Sequence, residues 1–137
     1  MPGLKDWLAK ASGDLKAAKI LSCDTDLLDI AAYLTQQCAE KALKAYLVFC
    51  HQVIPKTHNL KFLVEQCSKR DSAFQQLLND ALTLDPYGSY SRYPDDRFSI
   101  NQEEIKEAID KATKILSFVN KKINEPKNPT QKLFEKN

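Results

Sequence analysis

Glycine is scarce in this sequence, with three residues among 137, and none lies in a phosphate-cradling glycine-rich run. Gly-x-Ser-x-Gly and His-Glu-x-x-His are also missing, which removes nucleophile-elbow hydrolases and zinc peptidases from consideration. The four cysteines, Cys23, Cys38, Cys50 and Cys67, show no Cys-x-x-Cys spacing. They read as reduced thiols, mostly buried in helices, rather than as disulfides or metal ligands. Cys50 beside His51 is the nearest approach to a ligand or nucleophile pair. Neighbours on a helix point about 100° apart, so the two side chains do not converge. No metal and no cofactor are expected.

Charge of one sign is lacking too. Twenty basic residues face 18 acidic ones, a net +2, which gives no bulk attraction for nucleic acid. Any phosphate recognition must come from a local cluster. Long apolar runs are absent: Ala45 to Cys50 is far too short to span a bilayer. The first residues carry no basic segment followed by an apolar run of the secretory type. A cytoplasmic location without membrane contact is the expectation.

What is present is helical periodicity, with 43% hydrophobic and 28% charged residues, the balance of an ordinary globular domain. Leu4, Trp7, Leu8, Ala11, Leu15 and Ala18 follow the three-four spacing of one buried stripe, with Lys5, Asp6, Lys10, Asp14 and Lys16 opposite. Gly13 weakens this first helix. Asp24, Thr25 and Asp26 supply turn and capping side chains.

A second helix is predicted from about Leu28 to about His51, where Pro55 prevents continuation. Ala31, Leu34, Cys38, Ala45 and Phe49 form one stripe, while Leu43, Tyr46 and Leu47 point elsewhere. That pattern marks a central helix, covered either by neighbours in the chain or by a second subunit. Thr57 is the predicted N-cap of a third helix that buries Leu60, Leu63, Val64 and Cys67. Ser72 with Gln75 reads as a capping box for a fourth, with Phe74, Leu77, Leu78, Ala81 and Leu82 inward.

From Asp85 to Ser99 the period disappears, and a long loop rich in tyrosine, arginine and aspartate is predicted. Asn101 with Glu104 caps the last helix, whose buried line runs from Ile105 to Ile123. No strand-period segment occurs. The fold class is therefore all-α, an up-and-down four- or five-helix bundle over residues 1–124 with a flexible tail at 125–137.

Three motifs then fall in order. Ala32-Tyr-Leu-Thr-Gln-Gln-Cys-Ala-Glu-Lys-Ala-Leu-Lys-Ala-Tyr-Leu47 resembles the signature helix of the HEPN domain family. Lys56-Thr-His-Asn-Leu60 is similar to the start of the family's next helix, and Arg92-Tyr-Pro-Asp95 resembles its Arg-Tyr-Pro-Asp loop. The resemblance implies a helical bundle that commonly forms homodimers. Many members are paired with a minimal nucleotidyltransferase as toxin and antitoxin, or are linked to nucleotide binding; others are metal-independent ribonucleases. The ribonuclease branch carries an arginine followed four to six residues later by a histidine. Here the arginines are Arg70, Arg92 and Arg97 and the histidines His51 and His58, so no histidine follows any arginine. Without that pair the family mechanism lacks its base and its phosphate cation, and no catalytic residue is assigned.

The candidate binding residues are Gln37, Lys41, Lys44, His58, Arg92, Tyr93 and Asp95. Gln37, Lys41 and Lys44 follow one edge of the central helix, where two ammonium groups and an amide can hold a phosphate and a base edge. The alternative for them is a solvated face whose lysine stems cover apolar surface. His58, just after the predicted N-cap, reads either as a ligand group or as a neutral histidine tying its turn to a neighbouring loop. Arg92 can clamp phosphate while a tyrosine of the loop stacks on a base; Asp95 and Asp96 can instead hold a divalent cation, or pair with Arg92 and Arg97 to lock the loop. The expected ligands are nucleotide or RNA, and the expected protein partners are a second copy of the chain and a nucleotidyltransferase. The rival readings are a ribonuclease with a non-standard site and a dimeric scaffold without ligand.

Overall fold

The computed structural model describes residues 2–92 and 99–125, with the backbone alone for Tyr90, Ser91 and Arg92. Helix α1 spans Leu4–Leu21, α2 Leu28–Phe49, α3 Leu60–Ser68, α4 Leu78–Leu84 and α5 Gln102–Asn124. Three 3₁₀ segments join them, at Thr25–Leu27, Ser72–Leu77 and Asp85–Arg92. The described residues contain no strand, and the architecture is the all-α bundle that the periodicity predicts. Among the described residues no helix is long and apolar enough to cross a membrane.

α2 is the hub. α1 packs along it, and α3, α5 and the Asp85–Arg92 segment cover its remaining sides. Leu43, Tyr46 and Leu47 are consequently buried inside one chain, at 0%, 6% and 2% exposure. Neighbours in the chain cover that second apolar side, so it offers no surface to a second subunit. Phe49, expected in the buried stripe, is 38% exposed at the helix end.

α2 stops at Phe49, two residues earlier than predicted, and Pro55 is not what stops it. His51 takes φ 59°, a left-handed conformation found at no other non-glycine residue among those described. Its N–H donates to the Val48 carbonyl and that of Gln52 to the Leu47 carbonyl, both at 2.9 Å, the paired bonds of a Schellman cap. A side chain with a Cβ is strained there by about 1–2 kcal/mol. His51→Gly is expected to raise stability by about 1 kcal/mol, the gain being reduced by glycine's larger unfolded-state entropy. Urea midpoints of the two proteins check this; a lower midpoint for the variant would show the imidazole contributing more than the strain costs.

The caps differ from prediction in register. Asn59, not Thr57, is the N-cap of α3, its Oδ1 accepting from Phe62 N–H at 2.9 Å. Thr57 instead braces the cap itself, its Oγ1 accepting from Asn59 N–H. Asp71, not Ser72, opens the next segment by accepting from Ala73 N–H, and that segment is 3₁₀ before it becomes α4. Phe74, Leu77 and Ala81 face inward as predicted. Leu82 is 46% exposed and Leu84 takes the inward place, because the 3₁₀ turn shifts the phase of the residues after it. α5 starts at the expected cap, Asn101 and Glu104 accepting reciprocally from each other's N–H groups. It ends at Asn124, and residues 126–137 of the expected tail lie outside the described residues.

Asp71 also receives Lys122 Nζ at 2.8 Å, which ties the end of α5 to this turn. The bond from Lys122, with that from Ala73 N–H, holds the Asp71 carboxyl below the usual aspartate range. A carboxyl lowered in the folded state contributes stability that is present above the unfolded pKa and disappears as pH falls through the folded one. Asp71→Asn should therefore narrow the gap between melting temperatures at neutral pH and at acid pH. Thermal unfolding of both proteins between pH 7 and pH 2.5 reads this directly; parallel curves would remove Asp71 from the acid response.

The predicted loop at 85–99 is half helix. Asp85–Arg92 is a 3₁₀ segment with Tyr87 buried against the core. Its first residue, Asp85, accepts from the N–H groups of Leu60 at 2.7 Å and Lys61 at 3.2 Å, so one carboxylate supplies a second cap to α3. Gly88 lies against α2: a Cβ there would stand 3.1 Å from Gln36 Cδ. The absent side chain lets the segment approach α2 closely.

Candidate functional site

α2 is built mainly from Ala, Leu and Tyr, yet four of its buried residues are polar: Thr35, Gln36, Glu40 and Lys44. Gln36, Glu40 and Lys44 recur every four residues, which places them in one line along the helix. A buried polar group requires a partner, and each finds one. Glu40, 4% exposed, accepts from Lys44 Nζ at 3.1 Å through Oε2 and stands 2.9 Å from His58 Nδ1 through Oε1. Gln36 Nε2 donates to the His58 carbonyl at 2.9 Å, and Gln37 Nε2 donates to Gln36 Oε1 at 2.8 Å. The segment before α3 is thus held to α2 by both the ring and the backbone of one histidine.

An ionised carboxylate only accepts, so Nδ1 of His58 carries the hydrogen and donates to Glu40. The His58 side chain is 71% exposed, which leaves Nε2 toward solvent. His58 precedes the N-cap of α3 instead of following it, and its brace is the central helix rather than a neighbouring loop.

The same side of α2 also faces α1. Lys41 Nζ is 2.5 Å from Asp14 Oδ2, an ion pair with both side chains mostly covered, so Asp14 is not on the solvated side of α1. Lys44 Nζ lies 5.9 Å from the Trp7 ring centroid, a cation–π contact. Beside it an open groove of about 650 Å³ is lined by Pro2, Asp6, Trp7, Lys10 and Lys41. Lys10 is exposed and forms no ion pair among the described residues.

Of the predicted site residues, Gln37, Lys41, Lys44 and His58 lie along this one edge of α2, linked through Gln36, Glu40 and Trp7. Lys41 and Lys44 are each paired with a carboxylate of the chain, so neither is an isolated surface cation. Arg92 closes the Asp85–Arg92 segment that packs on α2; its side chain, with Tyr93 and Asp95, lies outside the described residues. Glu40, Gln36 and Trp7 escaped the sequence reading. The four-residue recurrence of polar groups in an apolar helix was the available signal for the first two.

The thiols take no part. Cys23, Cys38, Cys50 and Cys67 are all free, as predicted, although Cys23 is exposed and Cys50 only half-buried. Burial pushes the Cys38 thiol up to about 12 and raises that of Cys67 as well, so neither is a nucleophile at neutral pH. Among the described residues no group of three potential metal ligands converges.

Bundle, hub helix and polar seam define an all-α domain of the kind the three motifs resemble. The family model of the HEPN domain matches residues 4–123, and the chain belongs to that family. It is similar to the crystal structure of ST0689, an archaeal HEPN homologue, with 28% identity and a TM-score of 0.73 over 90% of this chain and 100% of that one. It is similar also to TT1696 from Thermus thermophilus, with 29% identity and a TM-score of 0.76 over 89% and 99%. No curated protein matches the chain.

Proposed function

We propose that this chain is a non-catalytic HEPN module that binds a nucleotide along the α1–α2 edge. The supporting observation is a groove of ligand size that Trp7, Lys10 and Lys41 line together, with the Lys44 ammonium 5.9 Å from the centre of the same indole ring. Lys41, although paired with Asp14, has three N–H donors and only one committed to it, so it can add a phosphate oxygen. Lys10 brings a charge that forms no ion pair among the described residues. Family membership agrees with this reading, and extends it to a protein form in which the same edge docks a nucleotidyltransferase in a toxin–antitoxin pair.

Thermal unfolding with added nucleotides tests it. A ligand that binds only the folded state adds about 2.7 kcal/mol at a hundredfold excess over its Kd. The expected result is a rise in Tm with nucleotide that shrinks in Lys10→Ala and Lys41→Ala, each compared with its own ligand-free baseline. No rise with any nucleotide or short RNA would sink the nucleotide reading and leave the protein partner, to be sought by pull-down with a nucleotidyltransferase.

One observation favours a second reading, a ribonuclease with a non-standard site. Glu40 orients His58 as a carboxylate orients a general base, with Nε2 outward. RNA cleavage that His58→Ala abolishes would support it. Cleavage unchanged by that substitution would assign the activity to a contaminant.

A further inference from the structure

The groove at the start of α1 differs from two other hollows among the described residues in joining an aromatic wall to cations. The hollow between the end of α1 and the start of α5, lined by Cys23, Glu103, Ile105 and Ile109 among others, has Lys106 as its one cation. The hollow beside the end of α2, with Val53, Pro55 and Arg70, has no aromatic wall. At the α1 groove Trp7 is half-buried, and its indole N–H is buried without a hydrogen-bond partner among the described residues. The part of the ring that reaches the groove is therefore carbon surface, which does not hydrogen-bond. Lys10 follows Trp7 by three residues, on the same side of α1, and Lys41 reaches the groove from α2. Lys44 stands close to the same ring.

We infer that this groove is a nucleobase-stacking subsite, in which Trp7 takes the ring of a free mononucleotide and Lys10 and Lys41 take its phosphates. The inference rests on the nucleotide-binding reading and deepens it by naming the ligand class and the position of the base. Two features select a mononucleotide over a nucleic-acid strand. The volume of about 650 Å³ suits one small molecule. The chain's net charge of +2, with Lys41 and Lys44 already paired, is too small to track a polyanionic backbone. The Asp6 carboxylate at the rim accepts from Gly3 N–H at 2.9 Å through one oxygen. Its other oxygen has acceptor capacity for an N–H donor of the base.

Trp7 is the single tryptophan of the chain, so its fluorescence reports on this groove alone. Titration of the full chain with ATP or GTP, corrected against free tryptophan, is expected to quench Trp7 saturably, with the same Kd by calorimetry. Trp7→Leu should weaken calorimetric binding by about 5- to 150-fold, the range that base–aromatic stacking commands. Trp7→Phe should retain most of the affinity, and circular dichroism verifies that both variants are folded. Tripolyphosphate should bind more weakly than ATP by a similar factor. Tripolyphosphate binding as tightly as ATP would overturn the stacking subsite, as would a short oligoadenylate binding far more tightly than ATP. ATP binding of unchanged affinity in Trp7→Leu would overturn the subsite while the nucleotide reading stood. No calorimetric binding of any nucleotide to the parent chain would overturn both.

Discussion

Glu40→Ala is expected to cost about 3–5 kcal/mol of folding stability, the usual penalty for removing one partner of a buried ion pair. Glu40 and Lys44 have side-chain exposures of 5% and 9%, so alanine at position 40 leaves an ammonium group largely out of water with no countercharge. His58, mostly exposed, also loses its brace, and the turn before α3 is then held to α2 chiefly by the Gln36 bond to the His58 carbonyl. The double substitution Glu40→Leu with Lys44→Met should cost much less than the sum of the single changes. Two apolar side chains in place of a buried pair are often neutral. Urea unfolding of the parent, Glu40→Leu, Lys44→Met and the double variant measures the coupling. A single-variant loss below about 1 kcal/mol would mean that Lys44 reaches water when freed, since a solvated pair is worth no more than that.

Phe74→Ala should cost about as much, 3–5 kcal/mol, for a different reason. Phe74 has no exposed surface and joins three elements through its ring. Its centroid is 4.2 Å from that of Tyr46 on α2 and 4.9 Å from that of Phe118 on α5, the latter edge-to-face at 82°. Truncation forfeits both aromatic contacts, each worth about 0.5–1.5 kcal/mol beyond area. It also leaves a cavity that the surrounding helices cannot close without moving. Against a domain stability of about 5–15 kcal/mol, the variant should be near its folding threshold at 37 °C. Phe74→Leu, which refills most of the volume, should lose only a fraction of this. Equal losses in the two variants would show that ring geometry matters more than volume.

The helices were legible because burial in α1, α3 and α5 follows the three-four period, while α2 is covered on nearly every side. α5 is the clearest case: the Asn101–Glu104 cap is local in sequence, and the line Ile105, Ala108, Ala112, Ile115 and Val119 needs no knowledge of its neighbours. Caps with competing donors were less legible. Thr57 and Asn59, or Asp71 and Ser72, are all competent N-caps within two residues of each other. The choice depends on where the chain must turn, and Asp85 settles it for α3 from 25 residues away. The Asp85–Arg92 segment lacked a period because its buried contacts are few and specific: Tyr87 in the core and Gly88 against Gln36.

The sequence by itself determined the all-α class, the places of the five helices and, through three ordered motifs, the family. These follow from local periodicity and from residue identity, which are the same folded or unfolded. Only the tertiary structure decided what the polar residues of α2 do. Gln36, Glu40 and Lys44 look like any solvated helix face until the packing of α1, α3 and the Asp85–Arg92 segment takes them out of water. Once desolvated, each requires a partner: Lys44 finds Glu40 within the helix, while the contacts from far along the chain, His58 to Glu40 and Gln36, and Trp7 to Lys44, define the candidate site. Electrostatic pairing of that kind depends on distances across the fold, which residue spacing along one helix does not contain.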